Sequence, residues 1–189
     1  VSWPVIRDWT EDSLRGKSFW FRLLLLFWTF RVFLFVVNHQ QVPGLWNPLW
    51  TASHGIHELG HWLTGAFGMW ISISMGSVFQ FLFPFVFVWG FLKHRDPHAA
   101  FLILTWQAAS VMNMAQYAGS AENADLFLET PHYVTLYHDW VWMLSRLNAR
   151  HWAPVIENLF WCLAVLFVLI SAVGQIYCLA VIKKTQAQD

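Results

Sequence analysis

Apolar residues run almost unbroken over four stretches of this 189-residue chain, 18–37, 77–92, 98–117 and 156–182, separated by short polar or proline-rich segments. A helix needs about 20 apolar residues to cross the hydrocarbon core of a bilayer, so these runs predict membrane-spanning helices. A fifth, more mixed segment at 50–67 carries polar residues at helical spacing and predicts a helix closed by Gly68. After it, Met69–Gly76 alternates apolar with polar and predicts a short extended piece. Pro84 falls inside the 77–92 run and predicts a kink. In the 98–117 run, Gln107, Ser110, Asn113 and Gln116 recur every three residues, so one side of that helix is polar and must face protein.

The remaining segments are polar. Residues 1–17 mix both charge signs and predict an interfacial tail, and 38–50 is a proline-punctuated loop. The 119–154 segment is a long polar loop whose His138-Asp139 opens a short helix. The expectation is a single all-α polytopic membrane domain of four to five transmembrane helices.

Composition agrees. The chain is 57% hydrophobic and 12% charged, about half the charge of a soluble domain. Zero net charge and the lack of a basic patch argue against nucleic acid as a partner. The two cysteines, Cys162 and Cys178, fall on one predicted helix and offer neither a disulfide framework nor zinc-finger spacing. No cleavable signal-peptide pattern is expected, because the first apolar run is long and lacks a small-residue cleavage site.

Cationic residues suggest the topology. If the 50–67 helix crossed the membrane, lysine and arginine would divide five against four between the two sides. If it enters and returns through the extended piece, the tails and the 93–97 turn share one side, seven against two. The positive-inside rule favours this re-entrant arrangement, with cytoplasmic termini in a bacterial inner membrane and the 119–154 loop outside. Arg22 and Arg31 lie inside the first run; Arg22 is expected to snorkel to the near headgroups, and Arg31 to snorkel outward in preference to the alternative of pairing with a carboxylate from another helix.

The chemistry concentrates in His57-Glu58-Leu59-Gly60-His61. Positions i and i+4 share a helix face, so the two imidazoles can hold one metal, and the adjoining Glu58 can accept a proton from its water. This is the donor set of a zinc hydrolase, with Glu58 catalytic and His57 and His61 as ligands. His54, three residues earlier, is read as a further ligand, a supporting group, or neither.

A third ligand is needed. Phe67 stands where a further histidine would fall six residues after His61, and the next glutamate is Glu122. The candidates are therefore His98, Glu122, Asp125, His132, His138 and Asp139. His98 falls near the opposite membrane face. The His138-Asp139 pair leads, because a helix start holds a ligand better than a loop; the alternative has Asp139 merely capping that helix. Gln107 and Asn113 are candidates for supporting the ligands or contacting substrate.

His-Glu-Leu-Gly-His in a membrane setting resembles the site-2 protease class of intramembrane zinc metalloproteases. The resemblance implies zinc on His57, His61 and a distant aspartate, with Glu58 activating water. The L-D-G tripeptide that carries that family's aspartate is absent. A wider likeness is to small bacterial membrane proteins combining H-E-x-G-H with H-D-W-x-x-x-L-x-R-L, here His138–Leu147; it favours His138 or Asp139 as the completing ligand.

The expected function is a membrane-embedded zinc peptidase acting on a membrane-protein or peptide substrate. The alternative is a non-catalytic accessory subunit of a respiratory or photosynthetic complex, in which the metal is structural or missing, or a histidine ligates a haem or chlorin. A metal transporter or sensor is a third option.

Overall fold

A computed structural model describes residues 3–188 except 125–126 and 129–135. It is helical apart from one antiparallel pairing of Phe127–Leu128 with Leu136–Tyr137. The helices are α1 (Trp3–Leu14), α2 (Phe19–Val37), α3 (Trp50–Thr64), α4 (Met69–Lys93), α5 (Pro97–Ser120), α6 (Asp139–Arg146) and α7 (Ala153–Gln186).

Local chemistry sets the boundaries. The Ser18 hydroxyl accepts from the Phe21 N–H to start α2. Asp96 does the same for Ala99 at the start of α5, where Pro97 occupies the first turn, in which no N–H is needed. A single 3₁₀ turn, Gly65–Phe67, finishes α3, and Gly68 reverses the chain at φ +93°, a conformation that favours glycine.

The expected extended piece at Met69–Gly76 is instead the first two turns of α4. Its Ile and Ser residues satisfy a helical period as well as a two-residue one. The buried face runs Ile73, Gly76, Ser77, Gln80, Pro84, which is the spacing of one helical stripe. Pro84 lies within this continuous 25-residue helix.

α5 is the axis of the bundle. More than half of its residues are buried, against α7, α2 and α4. Val32, Val36, Ala108, Met112, Ala164 and Val168 form the apolar centre. Beside it, the hydroxyls of Thr29 and Thr105 lie 2.8 Å apart, as do those of Thr105 and Ser171. Gln175 donates to Thr29 at 2.7 Å. Such bonds tie helices together where apolar packing alone distinguishes little between helix and lipid.

Ion pairs gather four segments at one end of the bundle, the start of α2 among them. Arg22 grips Asp96 through two bonds of 2.9 and 2.7 Å, Arg95 meets Asp12 at 2.6 Å, and Lys184 meets Glu11 at 2.8 Å. The amino-terminal helix, the 94–96 turn and the end of α7 therefore lie together. The 38–49 loop, the 65–68 turn and the segment containing α6 belong to the other half.

The 38–49 loop does not stay at that far end. It turns back along α2, where the Trp46 carbonyl accepts from the Trp28 indole at 2.7 Å. Trp28 is nine residues before the end of α2, about 14 Å down the helix. From that depth α3 climbs outward: Ser53 accepts from the Trp106 indole, His57 meets Gln80, and His61 meets Ser72. The inward leg is thus the loop and the return leg is the motif helix itself, not a strand after it. No periodicity marks a loop as an inward leg, which is why the sequence suggested the reverse.

Among the described residues, three helical segments are long and apolar enough to cross a membrane: Phe19–Val37, Met69–Lys93 and Arg150–Gln186, with mean hydropathies of 1.9, 1.9 and 2.5. α5 has the length, but its polar stripe lowers its hydropathy.

Candidate metal centre

The two imidazoles of α3 sit one turn apart with ring centroids 4.7 Å apart, as their i, i+4 spacing requires. Each is oriented from behind. The Nδ1 of His57 lies 3.1 Å from the side-chain oxygen of Gln80. That amide has its direction set by α5, because its nitrogen donates to the Ser110 hydroxyl at 3.1 Å. The Nδ1 of His61 lies 2.8 Å from the Ser72 carbonyl. Carbonyl oxygens only accept, so each Nδ1 donates, and each Nε2 is left to face Asp139, as a donor when the ring is protonated and as a lone pair when it is neutral.

Those two Nε2 atoms converge on one carboxylate oxygen. Oδ2 of Asp139 is 2.8 Å from His57 Nε2 and 3.3 Å from His61 Nε2. A lone pair facing a carboxylate repels it unless a cation sits between them, either a proton or a metal ion. The three ligand atoms lie within 4.8 Å of one another. In a tetrahedral zinc site with bonds of about 2.0–2.1 Å, neighbouring ligand atoms are about 3.3 Å apart. The donor set fits a divalent metal.

Backbone space confirms how tightly α4 is drawn against the imidazoles. A Cβ added at Gly76 would overlap the His61 ring and stand 2.8 Å from His57 Nε2. At Gly60 it would collide with the Met75 carbonyl. This glycine pair lets the two helices approach closely enough for Gln80 and Ser72 to reach the rings.

Asp139 is the first residue of α6. Its N–H donates to the Tyr117 hydroxyl at 3.1 Å, and Trp142 packs edge-on against Trp70 with centroids 4.9 Å apart, so α6 is held by both α4 and α5. Burial raises the Asp139 carboxyl pKa, but the contacts with His57 and His61 outweigh this and hold it below the ordinary value.

His138 is not a ligand in this arrangement. Its Nδ1 caps α6 by accepting from the Val141 N–H at 3.4 Å, and its Nε2 lies 3.0 Å from the Ser120 hydroxyl. Burial, which penalises the charged ring, lowers its pKa. The sequence alternative, with Asp139 as the cap, is therefore reversed: the histidine caps and the aspartate reaches the rings.

The other candidates divide by place. His98 is fully buried at the opposite end of the bundle, beside Arg22 and Asp96. Glu122 is exposed past the end of α5. Asp125 and His132 lie outside the described residues. Gln107 donates to the Phe81 carbonyl at 3.0 Å and ties α4 to α5 away from the centre.

A cavity of about 740 Å³ opens over the cluster. Glu58, His54, Trp50, Asn113, Gln41 and Tyr117 are on its wall. Glu58 is half exposed, and His54 Nε2 stands 3.8 Å from its carboxylate while stacking on Trp50. His54 is thus a neighbour of Glu58 and not a member of the cluster. Sequence reasoning missed Gln80, Ser72 and Gly76. Gln80 did leave a signal, since a lone amide inside a phenylalanine-rich membrane helix has to face a polar partner.

No family model, curated protein or solved structure matches this chain.

Proposed function

We propose that this chain is a membrane-embedded zinc hydrolase, most simply a site-2-protease-like peptidase. The observation that carries the reading is the convergence of two imidazole Nε2 atoms and the Asp139 carboxylate beside Glu58, in an open cavity within a helical bundle. The donor set of two histidines and a distant aspartate is also the one implied by the likeness to that protease class, although here the aspartate comes from the short helix α6.

The proposed topology has α2, α4, α5 and α7 as full spans, with the 38–49 loop and α3 together as the re-entrant element. α5 is shielded from lipid by its neighbours, which makes its polar stripe tolerable. The amino-terminal tail, the 94–96 turn and the carboxyl-terminal tail are cytoplasmic by the seven-to-two cationic bias. The cavity then opens towards the other side.

Zinc bound here would supply a Lewis acid and lower the pKa of a coordinated water. Gln80 and the Ser72 carbonyl hold the two rings in the ligating tautomer. Glu58 takes the proton of the attacking water and passes it to the leaving amine. Asn113 and Gln41 offer amide groups along the cavity wall where an extended peptide backbone can pair.

The test is Glu58→Gln in reconstituted protein with zinc loaded, scored on unstructured and apolar model peptides. The reading expects wild-type cleavage, with metal retained and turnover down by at least about 10²-fold in the variant. Undiminished turnover in Glu58→Gln would sink it.

A further inference from the structure

We propose that Arg31 is a binding site for the phosphate of a membrane phospholipid, in the leaflet on the metal-centre side of the bundle. The inference rests on the membrane topology above and is independent of whether the metal centre hydrolyses anything.

The buried face of α2 is Arg22, Thr29, Val32 and Val36. Arg31 lies on the other side of the helix, continuing the stripe of Trp20, Leu24 and Phe27, which are 74%, 69% and 57% exposed. A stripe of this kind, spaced by four, three and four residues, faces lipid. Arg31 stands six residues before the end of α2, about 9 Å below it. Its long arm can carry the guanidinium to headgroup level from there.

The guanidinium has no anion of its own. Arg22, nine residues earlier, is neutralised by Asp96, whereas no carboxylate pairs with Arg31 among the described residues. Its Nε is sealed from solvent and without a hydrogen-bond partner. Aromatic faces hold it instead: its central carbon is 4.9 Å from the Trp46 ring centroid and 5.8 Å from that of Phe35. These contacts fix the plane of the fork and leave its terminal nitrogens to an outside acceptor.

An uncompensated arginine at membrane depth is costly unless it finds an anion. At this depth, on this stripe, the anion within reach is a lipid phosphate, which the fork binds through paired hydrogen bonds. Trp46 belongs to the re-entrant loop that leads directly into α3, so the bound lipid also clamps the inward leg.

The experiment is native mass spectrometry of the detergent-purified full chain, titrated separately with phosphatidylglycerol, phosphatidylcholine, diacylglycerol and inorganic phosphate. The expected result is one tight phospholipid with either headgroup, and no comparable binding of diacylglycerol or inorganic phosphate. Arg31→Gln should weaken that lipid at least tenfold, and Arg31→Lys, which keeps the charge but not the fork, should fall between. Arg31→Gln keeps the length of the arm; if it fails to fold, Arg31→Lys still reads the fork.

Equal phospholipid affinity in wild type and variants would overturn the proposal. So would equally tight diacylglycerol, which would make the contact acyl only, or equally tight inorganic phosphate. A polypeptide that co-purifies with wild type and is lost in Arg31→Gln would overturn it too, by assigning the arginine to a protein carboxylate.

Discussion

The side chains of His57 and Asp139, 82 residues apart in the chain, meet at 2.8 Å between Nε2 and Oδ2. The contact joins a helix that rises from within the bundle to a short helix lying across its end. It is oriented from a third and a fourth element: Gln80 on α4, backed by Ser110 on α5, positions His57, and Tyr117 on α5 accepts from the Asp139 N–H. The candidate metal centre is thus a point where four helices are tied together.

The backing of His57 gives one prediction. Gln80→Leu removes the acceptor that keeps the Nδ1 proton in place and His57 Nε2 directed at the proposed metal position. Loss of such a supporting partner lowers metal affinity by about 10–100-fold. Chelator competition on the purified variant measures it, and Gln80→Glu, which retains an acceptor, should lose less.

The closeness of α4 gives another. Gly76→Ala places a methyl group against the His61 ring and 2.8 Å from His57 Nε2. Both rings must rotate away from Ser72 and Gln80, so zinc affinity should drop by at least about tenfold. Gly90→Ala, on the same helix with nothing within 4 Å of the added carbon, should leave affinity unchanged.

The opposite end of the bundle answers to pH. Burial raises the Asp96 carboxyl pKa, but the Arg22 bonds, the Ala99 N–H and Lys17 outweigh it and set the folded value below the ordinary one. A depressed carboxylate contributes stability that is fully present above its unfolded pKa of about 3.9 and is lost as pH falls through the folded value. Thermal stability in detergent should therefore draw nothing from this pair's titration between pH 5 and 8, and lose its contribution only below pH 4. Arg22→Ala should cost about 2 kcal/mol at pH 7, because the carboxylate keeps Lys17 and the Ala99 N–H but loses its two charged hydrogen bonds, and part of that loss should disappear in acid, where Asp96 is neutral.

The readable parts of this molecule were local. The ligand pair His57 and His61 and the neighbouring Glu58 follow from helical spacing alone, as do the long apolar runs that became α2, α4 and α7. Asp139 stood in the leading pair among six candidates and could not be separated from His138. Which of two adjacent residues caps a helix and which reaches across depends on where α5 places Ser120 and Tyr117. Met69–Gly76 misled because these eight residues of Met, Trp, Ile, Ser and Gly satisfy both periods, and burial against α3 decides between them. The inward course of residues 38–49 is set by tryptophans 28 and 46 meeting across 18 residues, which leaves no trace in local pattern.

The most direct test of the metal centre is zinc per chain by elemental mass spectrometry on gently purified protein, comparing wild type, Asp139→Ala and His138→Ala. The arrangement described here predicts one zinc in wild type, its loss in Asp139→Ala, and its retention in His138→Ala, whose ring caps α6 and faces Ser120. Full zinc in Asp139→Ala, or none in wild type after zinc is supplied during purification, would contradict it.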